Sequence, residues 1–207
     1  MEGTSYYMEG EERFGSCSSR IYSHFSGLHY WKYYRAIVRE VLKLQPESVL
    51  DVGCGPGDIL AHIAAESESV RLYGVDPSRG MVKAARKKFD RGGLAGRVTI
   101  EPGSSRDIPF TLEKFDLIIS SISFHHWKER KSSLENLSRY LKENGRIIIF
   151  DLDREQWPGK LPLFRNHTLK ETEDGEFEVQ GFNTVMSKLD GSGLLTLVLT
   201  RKEGISP

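Results

Sequence analysis

The sequence predicts an α/β fold: a doubly wound, mostly parallel sheet with helices on both faces. Three observations lead there. Short β-branched runs alternate with stretches of helical spacing from residue 28 onward. A three-glycine turn joins the first run to the next helix in "SVLDVGCGPGDILAHI". The chain then closes on two strand-like runs separated by "LDGSG". Strands alternating with helices read as a parallel sheet covered on both sides, whereas strands joined by so short a turn must pair antiparallel.

Each element has its own signal. Trp31, Tyr34, Ile37, Val38, Val41 and Leu42 recur at three and four residues, which gives one apolar helical face that Pro46 terminates. "SVLDV" is the first strand, and Ile59, Leu60 and Ile63 follow on a second helix. "VRLYGVD" is the next strand, with Pro77 and Ser78 suited to a helix start and Met81, Ala84, Ala85 and Phe89 forming its apolar side. "RVTIE" and "FDLIISSI" are the third and fourth strands. Leu134, Leu137 and Leu141 mark a helix expected to close at "ENG", before the strand "RIIIFDL". "FEVQGFNTVMSKL" and "GLLTLVLTRK" make the closing hairpin.

Residues 1–20 contain no Ile, Leu or Val and are rich in Gly, Ser and Glu, too polar to order themselves. The expected organisation is an N-terminal segment or lid over 1–27, one domain over 28–203 and a tail over 204–207. Lys plus Arg equals Asp plus Glu at 29 each, so the net field gives no reason to expect a polyanionic partner. No apolar run approaches the roughly 20 residues that span a bilayer, and a soluble, cytoplasmic protein is expected. Cys17 and Cys54 lie far apart without His or Cys at ligand spacing, so neither a disulfide framework nor a metal site is expected.

The glycine turn is the first candidate site. In open parallel sheets, ligands sit beyond the carboxyl ends of the strands, and Gly53, Gly55 and Gly57 let the backbone bend and a ligand approach the main chain. The spacing G-x-G-x-G differs from that of pyrophosphate binders, and Asp51 two positions earlier favours a ligand carrying ammonium or sulfonium charge. Asp76 ends the second strand, where an acid commonly takes the hydroxyls of a ribose. These features disfavour a nicotinamide-dependent oxidoreductase and point to a nucleoside ligand of another kind.

"VLDVGCGPGDIL", "LYGVDPSRGMVKAAR", "DIPF", "FDLIISSISFHHW" and "LKENGRIIIFD" resemble the successive motifs of the class I S-adenosylmethionine-dependent methyltransferases, particularly the small-molecule type, from about Val49 to Asp151. The resemblance implies a Rossmann-like seven-stranded sheet with its last strand antiparallel, and S-adenosyl-L-methionine as cofactor. It also implies roles. Asp51, Gly53, Gly55 and Gly57 would surround the methionine portion, Asp76 would bind the ribose with Pro77 beside it, Met81 would pack near the adenine, and the Ser120 and Ser121 carbonyls would meet the ammonium group. Similar proteins often carry Asp where this chain has Ser104; a serine hydroxyl or the Ser105 and Arg106 backbone would take over the adenine contact.

Methyl transfer from a sulfonium is an in-line displacement that chiefly requires alignment and exclusion of water, with no metal. A base near the methyl helps with a protic acceptor, and "SFHHW" places His125 and His126 just beyond the fourth strand, His125 being the candidate base and His126 a substrate contact. Tyr22, His24 and Phe25 precede the first regular helix and are candidates for a lid over a small-molecule acceptor. The segment 154–176 is short and polar, which suggests an open mouth. "SSIS" stands where amino-methylating nucleic-acid enzymes carry N/D-P-P-Y/F, so nucleic acid is disfavoured as acceptor; the basic run from Arg79 to Arg97 lacks interleaved aromatics and reads as a solvated face. Two further readings stay open: a macromolecular acceptor, and a cofactor-binding partner subunit or sensor without catalysis.

Overall fold

The computed structural model describes residues 6–7, 31–111, 113–153, 177–189 and 191–203. The expected lid residues Tyr22, His24 and Phe25, the segment 154–176 and the tail 204–207 lie outside them.

Among the described residues, seven strands form one sheet in the order β3-β2-β1-β4-β5-β7-β6. They are β1 (Ser48–Val52), β2 (Arg71–Asp76), β3 (Val98–Pro102), β4 (Phe115–Ser121), β5 (Leu141–Leu152), β6 (Phe182–Leu189) and β7 (Leu194–Arg201). The first five run parallel to one another, and β7 lies antiparallel between β5 and β6. The reversal between β1 and β4 is the switch point at which strand order changes direction, and it opens a crevice at the carboxyl ends of the strands. This is the expected Rossmann-like architecture with its antiparallel last strand.

Alternation along each strand sends side chains into two cores. Val49, Leu117, Ile119, Ile148 and Phe150 pack beneath α1 (31–43), α2 (Asp58–Glu66) and α3 (Arg79–Arg91). Leu50, Ile118, Ile147, Ile149, Leu197 and Leu199 meet α4 (Arg130–Ser138) and Phe124 on the opposite face. α3 begins as expected, with the Ser78 hydroxyl accepting the Met81 N–H at 3.4 Å. No helix among the described residues is long and apolar enough to cross a membrane.

Two local expectations are corrected. The helix drawn through Leu141 ends at Ser138, and Leu141 instead opens β5 opposite Phe115. The register between these strands shifts after that pair, and a Cβ on Gly145 would meet the Phe115 carbonyl oxygen at 2.7 Å. "ENG" therefore supplies an irregularity within the strand rather than a helix stop. Trp31, expected on the buried face of α1, is 49% exposed and lies against His62, with the Arg35 guanidinium 5.2 Å from its ring. Tyr33 and Ala36 take the buried positions.

At the amino ends of the strands, the Asp116 carboxylate accepts the Ser48 N–H (3.0 Å), the Ser48 hydroxyl (2.8 Å) and the Lys142 ammonium (2.8 Å). Burial pushes the Asp116 carboxyl up, but the hydrogen bonds from Lys142 and Ser48 outweigh it and hold the group below the usual carboxylate range. The network ties β1, β4 and β5 together.

Candidate functional site

An open cleft lies beyond the carboxyl ends of β1, β2 and β4. Its lining comprises Val52, Gly53 and Gly55 after β1, Asp76 and Pro77 after β2, Met81 on α3, Ser104 to Arg106 after β3, and Ile122, Ser123, His126 and Trp127 after β4. Tyr6 and Tyr7 complete it.

The glycine turn is held from both sides. The N–H groups of Gly53 and Cys54 both donate to the Val75 carbonyl, at 2.8 and 3.0 Å, and Gly55 donates to Asp76 Oδ2 at 2.8 Å. The other oxygen of Asp76 accepts the Ser78 N–H at 2.8 Å, so the carboxylate bridges the turn and the start of α3. All three glycines have positive φ (79°, 53° and 77°), the left-handed region that a Cβ disfavours. They serve different ends. A Cβ at Gly53 would sit 2.0 Å from Ser123 Oγ, and one at Gly57 would lie 2.7 Å from the Phe89 ring, whereas one at Gly55 would meet nothing within 4 Å. Gly55 is the turn residue whose backbone borders open space.

Asp51 and Asp76 give this end of the sheet a distinctive electrostatic character. Burial pushes Asp51 up to about 8, with the Asp76 charge adding to the effect. Burial also pushes Asp76 up to about 6, partly offset by the N–H groups of Ser78 and Gly55. Asp51 Oδ1 is buried and has no hydrogen-bond partner among the described residues. A buried orphan acceptor is costly, and a cationic group brought to it would repay part of that cost.

The loop after β3 is a short bridged turn in which Ser104 and Asp107 exchange backbone hydrogen bonds at 3.0 Å. The Ser104 hydroxyl accepts the Arg106 N–H at 3.3 Å. Ser105 donates its hydroxyl to Ser133 Oγ at 2.9 Å and its carbonyl accepts from Asn136 at 2.8 Å, which fastens the loop to α4. Arg106 Nη2 donates to the Tyr6 carbonyl at 3.1 Å and so brings the N-terminal pair to the rim. Ile122, a β-branched residue, is held at φ 53° by an N–H bond of 2.7 Å to the Phe150 carbonyl, a conformation that costs about 1–3 kcal/mol.

Of the residues expected from sequence, Gly53, Gly55, Asp76, Pro77, Met81, Ser104, Ser105 and His126 meet on this cleft. Asp51, Gly57 and Ser120 do not line it: Asp51 is buried on β1, Gly57 packs under Phe89, and Ser120 is fully buried on β4. His125 also sits behind the wall, its ring Nδ1 2.7 Å from Asp151 Oδ1. Sequence reasoning missed Tyr6, Tyr7, Ile122, Ser123 and Trp127. Ser123 and Trp127 flank the two histidines and could have been read with them; Tyr6 and Tyr7 are the paired aromatics of an otherwise polar segment. Among the described residues no group of three or more His, Cys, Asp or Glu could hold a metal ion.

The family model described as "Methyltransferase domain" matches residues 49–145, which span β1, the glycine turn, β2, the loop after β3 and the double-histidine turn. Over residues 49–145 the chain matches this methyltransferase domain. The chain is similar to the ubiquinone/menaquinone biosynthesis C-methyltransferase UbiE of Geotalea daltonii, 32% identical over 139 residues that cover 66% of this chain and 59% of that protein. It is 27% identical over 136 residues to the demethylmenaquinone methyltransferase of Thermotoga maritima, covering 64% of this chain and 57% of the relative. The chain thus spans less than two thirds of these curated relatives. Among solved structures, a SAM-dependent methyltransferase from Aquifex aeolicus superposes with a TM-score of 0.73 at 23% identity, over 92% of this chain and all of its own. The plantazolicin methyltransferase BpumL, solved in complex with SAH, gives 0.71 at 16% identity, over 90% of this chain and 91% of its own. At these identities the superpositions establish that the chain has their fold.

Proposed function

We propose that this chain binds S-adenosyl-L-methionine in the cleft and transfers its methyl group to a small-molecule acceptor. The observation that carries the reading is the Asp76 carboxylate, fixed at the end of β2 by Gly55 and Ser78 on the cleft wall. Each of its oxygens retains a further lone pair for a ribose hydroxyl. Gly55 offers close approach to the main chain, Met81 an apolar surface, and Ser104 and Ser105 the hydroxyl-bearing loop for the adenine end. Asp51 and Ser120 would act from behind, by charge and through the backbone. Nearby carboxylates with raised pKa values favour a cationic ligand over a pyrophosphate.

The bound cofactor would supply a methyl group on a positively charged sulfur. The protein's part is to orient, to exclude water and to accept a proton. Tyr6, Tyr7, Ile122, His126 and Trp127 leave an aromatic, largely apolar stretch of wall for the acceptor. The named activities of the relatives, acting on quinone precursors or on plantazolicin, support a small organic molecule as acceptor. Cys54 is a buried free thiol, consistent with action in a reducing cytoplasm.

Calorimetric titration of S-adenosylmethionine, S-adenosylhomocysteine and NAD into wild type and Asp76→Ala tests the reading. The first two should bind wild type and lose about tenfold or more in affinity in the variant, since hydrogen bonds to a charged group contribute about 1.5–3 kcal/mol each. Binding of NAD alone, or of none of the three, would overturn it.

A further inference from the structure

The double-histidine turn divides its side chains between core and cleft. In the single 3-10 turn Phe124–His126, Phe124 is fully buried between Trp127 and Phe177, with ring centroids 5.0 and 5.4 Å away. The His125 side chain is only 3% exposed. His126 and Trp127 lie on the cleft wall. The His125 and His126 rings are 4.0 Å apart, tilted at 51°.

Behind the turn stands Asp151 of β5, whose side chain is 0% exposed. Its Oδ2 accepts the His125 backbone N–H at 2.9 Å. Its Oδ1 lies 2.7 Å from His125 Nδ1 and accepts the Leu152 N–H at 2.8 Å. A carboxylate can only accept in these contacts, so Nδ1 of His125 carries the proton. Arg130 Nη2 adds a bond of 3.2 Å to the His125 carbonyl. His125 is therefore held at its ring, its N–H and its C=O, with its side chain buried and off the cleft wall. His126, the next residue, faces the space that His125 does not reach.

Resting on the methyl-transfer reading above, we infer that His126 is the imidazole that takes the acceptor's proton, and that Asp151 is a positioning residue that sets His126 by holding His125 behind it. The proton passes from the acceptor atom to a ring nitrogen of His126, and the bonding electrons stay on that atom as the nucleophilic pair that forms the new bond to the methyl carbon. The unperturbed pKa of imidazole suits that transfer near neutral pH. The other titratable groups on the cleft are Asp76, Arg106, Tyr6 and Tyr7, and those behind the turn are His125, Asp151 and Arg130.

Diethyl pyrocarbonate, which modifies accessible neutral imidazoles, tests the assignment without knowledge of the acceptor, with fragmentation mass spectrometry resolving the two adjacent residues. In the wild type His126 should react at least about tenfold faster than His125, because a buried ring reacts only after local opening. Asp151→Asn should speed His125 and change the pH profile of His126, with S-adenosylhomocysteine affinity kept within about threefold, a spread under 1 kcal/mol. His125→Asn, whose amide can still donate to Asp151, should restore the wild-type His126 profile, and His125→Ala should not. His125 reacting as fast as His126, or an unaltered His126 profile in both Asp151→Asn and His125→Ala, would overturn the assignment while cofactor binding stayed intact. Loss of S-adenosylhomocysteine binding in the wild type would instead overturn the methyl-transfer reading itself.

Discussion

Asp76 accepts the N–H of Gly55 at 2.8 Å, so the carboxyl end of β2 holds the turn that follows β1. The same carboxylate that faces the cleft is thereby part of the fold, and ligand binding and local backbone geometry are coupled at one residue.

The glycines around that bond separate stability from binding. Gly57→Ala adds a Cβ at φ 77° and 2.7 Å from a buried Phe89 ring, and should destabilise by about 2–4 kcal/mol through left-handed strain and overpacking. Gly55→Ala, at φ 53° with open space around the new methyl, should cost only about 1–2 kcal/mol. Its methyl borders the cleft, so it should weaken S-adenosylhomocysteine binding more than its modest stability loss suggests. Urea unfolding and calorimetry on both variants check the contrast; equal effects on the two quantities would contradict it.

Stability should fall as pH rises from about 4 to about 8. The folded chain holds protons on Asp51 up to about 8 and on Asp76 up to about 6, whereas the unfolded chain releases them near 3.8. The folded state therefore binds more protons in that window, and the associated stability, complete below the unfolded value, is lost as pH passes through the folded values. Melting temperature at fixed ionic strength should decline from pH 5 to 9, and Asp51→Asn should flatten the decline.

A cationic ligand reverses the sense for binding. It favours the ionised carboxylates, so S-adenosylmethionine should bind more tightly as pH rises through the same range and should release protons on binding. S-adenosylhomocysteine, which lacks the sulfonium charge, should release fewer. Calorimetry in buffers of different ionisation enthalpy measures both; equal proton release would show that the carboxylates do not sense the sulfur's charge.

Asp116 responds in the opposite direction. Its carboxyl is held below the usual range, so its contribution is present above the unfolded value and is lost as pH falls through the folded one. Asp116→Ala should lower stability near neutral pH by about 1–3 kcal/mol by removing the partner of the Ser48 N–H and of Lys142. It should leave cofactor affinity unchanged, which calorimetry would check.

What could be read in the sequence was what local chemistry dictates. β1 and its glycines, Asp76 at the end of β2, the Ser78 cap and the closing hairpin each combine a short periodic run with a residue suited to one backbone role. Leu141 was misplaced because leucine at helical spacing looks the same whether the chain continues as helix or turns into a strand, and pairing with Phe115 decided it. Trp31 shared the period of its helix but not its burial, since Tyr33 and Ala36 already fill that face. His125 and His126 are indistinguishable by type and position; the difference comes from Asp151, 25 or more residues away, whose partner only the folded sheet reveals. Tyr6 and Tyr7 reach the cleft through the Arg106 contact, 100 residues distant in the chain, and no periodicity announces it.

The polar network of Ser48, Asp116 and Lys142 lies at the amino ends of the strands, and the cleft at their carboxyl ends. Over the five residues of β1 that separation is roughly 13 Å, at 3.3 Å per residue. The clamp at the amino ends thus stands apart from the cleft, whereas Asp76 at the carboxyl ends serves both the fold and the cleft. An engineer seeking a sturdier protein can strengthen the clamp without touching the cleft, and a lineage exploring new acceptors can vary the cleft wall without loosening the clamp that keeps the amino ends of the strands in register.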